Sequence, residues 1–496
     1  MSTPFSTPFL SAFLPDLALL VLALVVLTTE IVFRKHQARW TARVAVAGLA
    51  AVLILLAALP LPSGGVAYAG YQVTRSVVVW KQLFALATLA TILLSRSYFR
   101  NGHSLRGALA NPGAFYGLLL FSTTGMFALV SARDLLTFYI GLELATLPLY
   151  ALTALQPRNA GSIEAGSKYM LMGAFASALS LFGISFLYGA AGSLGFDALA
   201  KVASAQPSLS AQPFLLAGVL MLLGSLGFKL AMVPFQMWAP DVYEGAPTAV
   251  TAFLSTGSKA AAVAATTTLF LGPLNLPRID LGAIFALAAV LSLLAGTLGA
   301  MRQSNLRRFI AYSSIAQAGY MLMAFTGGEG SEAAARIALQ YNLLVYGTAS
   351  FALFFVVSLV GRSAPETIPS LRGLSARSPA LAALLALSLF SLIGIPPLAG
   401  FLGKFLLFAV AARNGHYTLI FIGALAVALS FYYYMRLLKE AYQPVQTAEN
   451  RGAPASAVPL SPIRLSLAGK CAAALLAILL VVLGTCPGML NFIASR

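Results

Sequence analysis

The sequence predicts an all-α polytopic membrane protein. Its 496 residues are 59% hydrophobic and only 9% charged, and the mean hydropathy is +0.87, a composition that soluble domains of this size do not have. Apolar segments of about 20 residues, the length that crosses a bilayer, recur about fourteen times. Only short loops separate them, so we predict one integrated membrane domain.

The predicted spans 1–14 follow one another along the chain. Their approximate cores are residues 10–33, 43–62, 77–95, 112–131, 133–155, 166–189, 213–237, 246–271, 280–301, 307–326, 334–360, 379–411, 416–438 and 468–492. We group them as N-terminal spans 1–3 (1–111), a first repeat of spans 4–8 (112–271), a second repeat of spans 9–13 (280–438), a cytoplasmic linker (439–467) and C-terminal span 14 (468–496).

Three spans contain helix-breaking sequence. Pro234 and Pro240 lie at the end of span 7, a Ser-Thr-Gly-Ser run (255–258) lies within span 8, and Pro396 and Pro397 lie within the long span 12. Broken helices expose backbone groups at membrane depth, which is common at ion sites in transporters. Their placement in both halves favours two inverted five-helix repeats, although Pro and Gly are also simply frequent in membrane helices.

The net charge is +17, and most of the positive residues lie in the loops between the predicted spans. Of the 31 Lys and Arg residues, 19 fall in the loops on one side of the predicted topology and 8 in those on the other; Lys168 and three intramembrane lysines complete the set. This bias predicts that the richer side is cytoplasmic and that both termini are periplasmic. It also argues against nucleic acid as a partner and makes the lipid bilayer the expected surroundings.

No motif for a bound cofactor is present in the sequence. The two cysteines, Cys471 and Cys486, both lie in span 14 and match no metal or iron–sulfur spacing, and we find no Gly-rich phosphate loop. We therefore expect no metal and no cofactor in this chain.

Four charged residues lie inside the apolar spans: Glu143, Lys229, Lys259 and Lys404. A charge near the centre of a bilayer costs roughly 3 kcal/mol or more on insertion scales and usually marks an ion or proton path. Glu143 and Lys229 lie at comparable depth, which predicts that they pair, whereas Lys259 stands alone. The alternative is a static ion pair that joins helices, with the other lysines reaching to an interface.

Neutral polar residues accompany these charges and form a predicted supporting path: Ser255, Ser258, Tyr312, Gln317, Tyr341 and Asn342. They can hold water between the lysines, or they can simply join helices by hydrogen bonds. Asp241 and Glu244, on the predicted cytoplasmic side, either collect protons or cap the start of span 8, and we favour the cap.

Several segments resemble the antiporter-like subunit family of bacterial respiratory NADH:quinone oxidoreductase (complex I), subunit N in particular. The matching stretches are GLELATLPLYAL (141–152), EAGSKYMLMGAFASALSLFGISFLYG (164–189), GFKLAMVPFQMWAPDVYEGAPT (227–248), FLSTGSKAA (253–261), LRRFIAYSSIAQAGYML (306–322) and SLIGIPPLAGFLGKF (391–405). The resemblance covers nearly all of spans 4–13, and PDVYEGAP is its most specific element.

The resemblance implies a proton-translocating subunit of the bacterial inner membrane. Glu143 then corresponds to the family's glutamate, Lys229 to its partner lysine, Lys259 to the central lysine and Lys404 to the terminal one. NADH, FMN, iron–sulfur clusters and quinone would bind in partner subunits, and the neighbours would be the antiporter-like subunits M and L and the small subunits J and K. Gln236 replaces a family histidine and cannot titrate.

Two alternatives remain open at this stage. A subunit of an Mrp-type cation/proton antiporter shares the fold and the charged residues. A structural subunit that spaces or anchors the complex without pumping would need none of those charges, so the intact set argues against it.

Overall fold

The computed structural model describes residues 7–32, 37–62, 64–100, 111–205, 213–275, 281–327, 330–362, 364–444, 462–486 and 488. Within them the chain is almost wholly helical, with one small β-hairpin. Eleven of the described helices are long and apolar enough to cross a membrane, and shorter helices cover predicted spans 8, 10 and 12. The predicted class, an all-α protein with many spans, is therefore confirmed.

The helices follow the order of the predicted spans. They are α1 (Thr7–Val32), α2 (Gln37–Ala58), α3 (Arg75–Arg100), α4 (Pro112–Ser131), α5 (Leu135–Thr153), α6 (Ala160–Ala191), α7 (Phe196–Ala205), α8 (Pro213–Leu230), α9 (Trp238–Gly245), α10 (Thr248–Phe253), α11 (Lys259–Phe270), α12 (Leu281–Met301), α13 (Leu306–Leu322), α14 (Glu332–Val360), α15 (Leu374–Arg377), α16 (Pro379–Ile393), α17 (Ala399–Arg413), α18 (Tyr417–Tyr442) and α19 (Leu467–Thr485). Strands β1 (Val66–Tyr68) and β2 (Tyr71–Val73) form the antiparallel hairpin between α2 and α3.

The chain divides into two compact units. The first unit runs from α1 to Phe285, in the first turns of α12, and also includes Glu332, the first residue of α14. The second contains the rest of α12, α13, the rest of α14 and the helices from α15 through α19. Glu143, Lys229 and Lys259 belong to the first unit and Lys404 to the second.

The three predicted interruptions are present. Helix α8 ends at Leu230, where Ala231 has a positive φ of 55°, and a turn leads to the short helix α9. A π-helical segment, Leu254–Ser258, separates α10 from α11. Helix α16 ends at Ile393, and Gly394, with a φ of 93°, turns the chain before α17 begins. A residue without a Cβ suits that left-handed conformation.

The start of α5, the helix that carries Glu143, is held by loops outside the spans. The Asp134 side chain accepts a hydrogen bond of 2.7 Å from the Thr137 amide and so caps the helix. The Arg133 amide donates to the Gly70 carbonyl at the tip of the β-hairpin, and the Leu135 amide donates to the Leu194 carbonyl. The hairpin and the α6–α7 loop therefore fix the position at which α5 enters the first unit.

Some local elements were not predicted. The β-hairpin, the short helix α7 and the short helix α9 lie in segments expected to be loops. Asp241 does not cap the predicted span 8, because its segment forms α9 and the N-cap of α10 is Pro247. Residues 445–461 of the predicted linker, residues 489–496 of span 14 and the first six residues lie outside the described ranges.

Helices α4 and α5 pack closely because each presents a glycine to the other. A Cβ at Gly125 on α4 would lie 2.2 Å from the Ala145 backbone nitrogen on α5, and a Cβ at Gly141 on α5 would lie 2.5 Å from the Leu129 backbone nitrogen on α4. Real Cβ atoms do not approach backbone so closely, so any side chain at these positions must push the two helices apart.

We expect Gly125→Ala to destabilise the first unit by about 1–3 kcal/mol, the usual cost of overpacking. The measurement is the thermal unfolding midpoint and the yield of the protein purified in detergent. Gly347→Ala in α14 is the matched control, because a Cβ there meets nothing within 4 Å. Equal stability of both variants would show that the close contact between α4 and α5 is not needed.

Candidate functional site

Glu143 lies on α5, and Lys229 reaches the same helix from α8. Glu143 is half-buried and accepts a hydrogen bond of 2.7 Å from Ser177 Oγ on α6. Lys229, in the last turn of α8, donates a hydrogen bond of 2.7 Å to Thr146 Oγ1. Because residues three apart in a helix are neighbours on its surface, Thr146 places the lysine one turn from Glu143.

The predicted pairing takes a less direct form than an ion-pair contact. The described residues form several ion pairs of 4.0 Å or less, but Glu143 and Lys229 do not form one with each other. The charge of Glu143 nevertheless acts on Lys229. The ammonium is held instead by the Thr146 hydroxyl, which itself donates to the Leu142 carbonyl at 2.6 Å and so turns its lone pairs to the lysine.

Lys259 lies in the interior of the first unit, with 2% of its surface exposed. It is the first residue of α11 and follows the π-helical segment directly. Such segments often mark functional sites because they disturb the regular backbone hydrogen bonds. Ser258 lies beside the Tyr169 hydroxyl, while the predicted path residue Ser255 donates to the Ala252 carbonyl of its own helix.

An aromatic cluster joins α5, α6 and α9. The Tyr169 ring on α6 stacks on Trp238 at a centroid distance of 4.7 Å, and the Tyr150 ring on α5 meets Tyr169 edge-on at 4.8 Å. Trp238 Nε1 donates to the Phe228 carbonyl near the end of α8. Gln236, in the turn before α9, has its side-chain oxygen buried without a hydrogen-bond partner among the described residues.

Lys404 donates hydrogen bonds to the end of α16, at the break within span 12. Its Nζ donates hydrogen bonds of 2.9 Å to the carbonyls of Leu392 and Ile393, the last residues of α16, and lies 4.3 Å from the centroid of the Tyr320 ring. The last carbonyls of a helix have no partner within it. The lysine therefore satisfies backbone groups that the break sets free, and the ring face adds a cation–π contact.

A cavity of about 10 Å³ adjoins Lys404. Its polar lining includes Gln317, Asn342, Tyr346 and Ser391. Gln317 Nε2 donates to the Leu392 carbonyl at 3.1 Å, and Asn342 Nδ2 is buried without a partner among the described residues. A polar space of this size suits about one water molecule.

The predicted supporting residues divide into two groups. Gln317 and Asn342 lie at the Lys404 cavity, and Ser258 lies next to Lys259. Tyr312 instead packs against Gly299 on α12, and the Tyr341 hydroxyl donates to the Leu483 carbonyl on α19. The structure thus places Tyr312 and Tyr341 in helix contacts rather than beside a lysine.

Asp241 on α9 forms an ion pair with Lys168 on α6, at 2.8 Å between Oδ2 and Nζ, and Lys168 also contacts Glu164 at 2.7 Å. These side chains are partly exposed. The set joins α6 to α9, the helix that brings Trp238 to the aromatic cluster.

One buried charged cluster was not predicted from the sequence. Lys81, one of the eight positive residues counted on the outer side, lies inside α3, is fully buried, and pairs with Asp16 on α1 at 2.7 Å. The Tyr71 hydroxyl donates to Asp16 at 2.5 Å and accepts from Lys81 at 2.8 Å. Burial, together with the Asp16 charge, raises the pKa of Tyr71 well above its ordinary value, so this phenol stays protonated. Asp16, an acidic residue within predicted span 1, was the sequence feature that could have indicated this cluster.

Comparison with known proteins gives matches along most of the chain. Residues 132–430 match the family described as NADH:quinone oxidoreductase/Mrp antiporter, transmembrane. A relative from Rhodospirillum rubrum named NADH-quinone oxidoreductase subunit N is 39% identical over 450 residues, 88% of each chain. A chain of respiratory complex I from Thermus thermophilus with bound aureothin superposes with a TM-score of 0.77 and 32% identity, over 96% of this chain and 98% of that one. A chain of the Mrp complex from Dietzia sp. DQ12-45-1b shares the fold, with a TM-score of 0.79 and 19% identity over 99% and 97% of the two chains.

We expect Lys81→Met to destabilise the first unit by about 3–5 kcal/mol, because it leaves the Asp16 carboxylate buried and unpaired. The double variant Asp16→Asn/Lys81→Met removes both charges and should recover most of that loss. The measurement is the thermal unfolding midpoint in detergent, with Lys201→Met, at an exposed position, as the control. A double variant no more stable than Lys81→Met alone would refute this role of the ion pair.

Proposed function

The chain belongs to the NADH:quinone oxidoreductase/Mrp antiporter family of membrane subunits, and we propose that it transfers protons through the membrane arm of NADH:quinone oxidoreductase. The observation that carries the proposal is the burial of Lys259 and Lys404 next to breaks in their spans. Intramembrane charges at such breaks are typical of ion paths. Relatives that match most of the chain are named NADH-quinone oxidoreductase subunit N, which supports the assignment to this complex.

In this proposal, Glu143 and Lys229 form the switch of the first unit. Lys229 is held by Thr146 within the field of Glu143. A carboxylate that moves closer stabilises the protonated lysine, and one that moves away destabilises it. A signal from a neighbouring subunit that shifts α5 relative to α8 therefore changes whether Lys229 keeps its proton.

Lys259 is the proposed next proton carrier in the first unit, and Lys404 is the carrier in the second, with release on the outer side. Lysine suits this work because burial in a nonpolar interior favours its neutral form, so small changes nearby switch its protonation. At Lys404, the cavity lined by Gln317 and Asn342 provides a place for a water molecule that exchanges protons with the ammonium.

The redox chemistry belongs to other subunits in this proposal. NADH, FMN, iron–sulfur clusters and quinone would bind there, and this chain would contribute no redox centre. The partners are the antiporter-like subunits M and L and the small subunits J and K, with lipid around them, in the inner membrane of a bacterium with both termini periplasmic. Large apolar residues exposed on α6, among them Leu171, Phe175 and Phe182, provide surface for such contacts.

The two alternatives make different demands. The Mrp complex chain shares the fold at 19% identity, which supports the architecture alone, whereas the relatives of 35–43% identity carry the name subunit N. Co-purification with redox subunits separates the two cases. A structural subunit without transport does not require lysines at both broken spans, and the variants below test it.

We expect Lys259→Ala to abolish coupled proton transfer while the complex still assembles. The assay is proton pumping in inverted membrane vesicles, with NADH:quinone electron transfer measured in parallel. Loss of both activities together places Lys259 in a path coupled to the redox reaction. Lys201→Ala, which removes an exposed lysine from α7, is the control and should pump normally. Normal pumping by Lys259→Ala would exclude a transport role for this lysine.

Lys404→Gln separates proton transfer from helix capping. The glutamine amide still offers two donors to the carbonyls of Leu392 and Ile393 but has no titratable proton. We expect assembly to be preserved and pumping in the same vesicles to be lost. If Lys404→Gln pumps at the rate of the native protein, Lys404 serves only to satisfy the broken helix.

A further inference from the structure

Helix α6 is hydrogen-bonded to both helices that carry the proposed switch. Ser177 Oγ on α6 donates a hydrogen bond of 2.7 Å to Glu143 Oε1 on α5. About one turn further along α6, the Ser180 hydroxyl shares a hydrogen bond of 2.5 Å with the Ser225 hydroxyl on α8. Lys229 follows Ser225 by about one turn of the same helix. Two serines of α6 therefore hold the carboxylate of the switch and the helix of its lysine.

Helices α6 and α8 pack closely and run in opposite directions. A Cβ at Gly183 on α6 would lie 3.0 Å from the Gly218 carbonyl oxygen on α8. Later on α8, a Cβ at Gly224 would lie 3.0 Å from the Leu179 side chain, which comes earlier on α6. Contacts this tight leave little room for one helix to shift along the other, because protein interiors are close-packed.

The Ser180–Ser225 hydrogen bond fixes the level of Lys229 relative to Ser177. Because the helices are antiparallel, residues before Ser180 on α6 lie beside residues after Ser225 on α8. At 1.5 Å per residue, Ser177 and Lys229 lie about 4.5 and 6 Å from that hydrogen bond, on the same side of it. Both bonded serines have no exposed surface. A buried hydroxyl that loses its partner is unfavourable, so the bond resists sliding of α8 along α6.

Helix α5 is joined to this pair by the two switch residues. Glu143 is held by Ser177 of α6, and Thr146, three residues later on α5, accepts a hydrogen bond of 2.7 Å from Lys229 of α8. The three helices thus form a closed ring of three side-chain hydrogen bonds, all within the first unit. In this ring the carboxylate and the ammonium are each bound to a neutral hydroxyl rather than to each other.

We propose that α6 is the positioning helix of the switch, in which Ser177 holds Glu143 apart from Lys229 and the Ser180–Ser225 hydrogen bond keeps the two helices of that hold in register. The inference rests on the proposed function, because it names the residues that set the separation of the switch pair. Helices α6 and α8 move as one body, and α5 moves against them. The three serines carry no proton in this role.

The two states of the switch then differ in the partner of Glu143. In the observed state Ser177 stabilises the carboxylate, since a hydrogen bond to a charged group is among the stronger ones. When a neighbouring subunit displaces α5, the carboxylate exchanges Ser177 for Lys229 and stabilises the protonated lysine. The return of Glu143 to Ser177 withdraws that stabilisation. Without Ser177, the carboxylate lacks a partner to return to.

Substitutions at Ser177 test the hold on Glu143. Ser177→Thr keeps the hydroxyl, whereas Ser177→Val has the shape of threonine without it. We expect Ser177→Thr to pump at nearly the native rate in inverted vesicles and Ser177→Val to pump about tenfold more slowly, the factor expected for a lost hydrogen bond to a charged group. Ser162→Ala is the matched control, because Ser162 also joins α6 to α5, by a bond of 2.7 Å to the Thr153 carbonyl. It should pump normally.

The Ser180–Ser225 bond is tested by removing one partner and then both. Ser180→Ala leaves the Ser225 hydroxyl buried without its partner and should lower the thermal unfolding midpoint in detergent. The double variant Ser180→Ala/Ser225→Ala removes both hydroxyls and should recover the native midpoint, because replacing both partners by apolar groups is nearly neutral. We expect its pumping to stay reduced, since stability returns without the fixed register. A double variant that pumps at the native rate would show that this bond serves folding alone and would overturn its positioning role.

Parallel assays separate this inference from the proposed function. If Lys259→Ala abolishes pumping while Ser177→Val pumps normally, the positioning role of α6 is refuted and the proposed function stands. If Lys259→Ala itself pumps normally, the proposed function fails. A loss in Ser162→Ala as large as in Ser177→Val would assign the effect to any contact between α5 and α6 and would also refute the hold on Glu143. Should Ser177→Val not assemble, Ser177→Ala against Ser162→Ala decides in its place.

Discussion

A charge or backbone group inside a bilayer must find its partners within the protein, and this constraint governs the structure. Lys404 is stable in its interior position because α16 ends beside it and presents two carbonyls. Lys229 occupies the last turn of α8 and uses the Thr146 hydroxyl of the neighbouring helix. The breaks after α8 and α16 therefore each lie beside a lysine whose polar partners come from the protein, since lipid offers none.

The same constraint explains which features were predictable from the sequence. A charge within an apolar run is visible in the sequence whatever the fold, so Glu143, Lys229, Lys259 and Lys404 could be identified, as could the interruptions beside them. Lys81 was misplaced because it lies near the start of α3, where depth depends on how the β-hairpin covers the helix end. The hairpin is held over the helix end by contacts between residues far apart in the chain, such as the hydrogen bond from Tyr71 to Asp16.

The direction in which side chains point was the other feature that the sequence could not predict. The sequence left open whether the polar residues of α13 and α14 hold water together or join helices, because a residue's neighbours depend on its angle around the helix axis and on how the helices are rotated in the bundle. Gln317 and Asn342 reach the Lys404 cavity, while Tyr312 faces Gly299 and Tyr341 reaches α19. The hydrogen bond from Lys229 to Thr146 depends in the same way on the packing of α8 against α5.

The partners of each buried lysine also indicate which ones can carry protons. Lys81 is paired with Asp16, so its deprotonation would leave a carboxylate buried and alone, a costly state that keeps the pair charged. Lys404 is held by two carbonyls and an aromatic ring, all neutral groups. Its ammonium can lose a proton without leaving an uncompensated charge behind. A neutral setting thus suits transport, and a paired one suits structure.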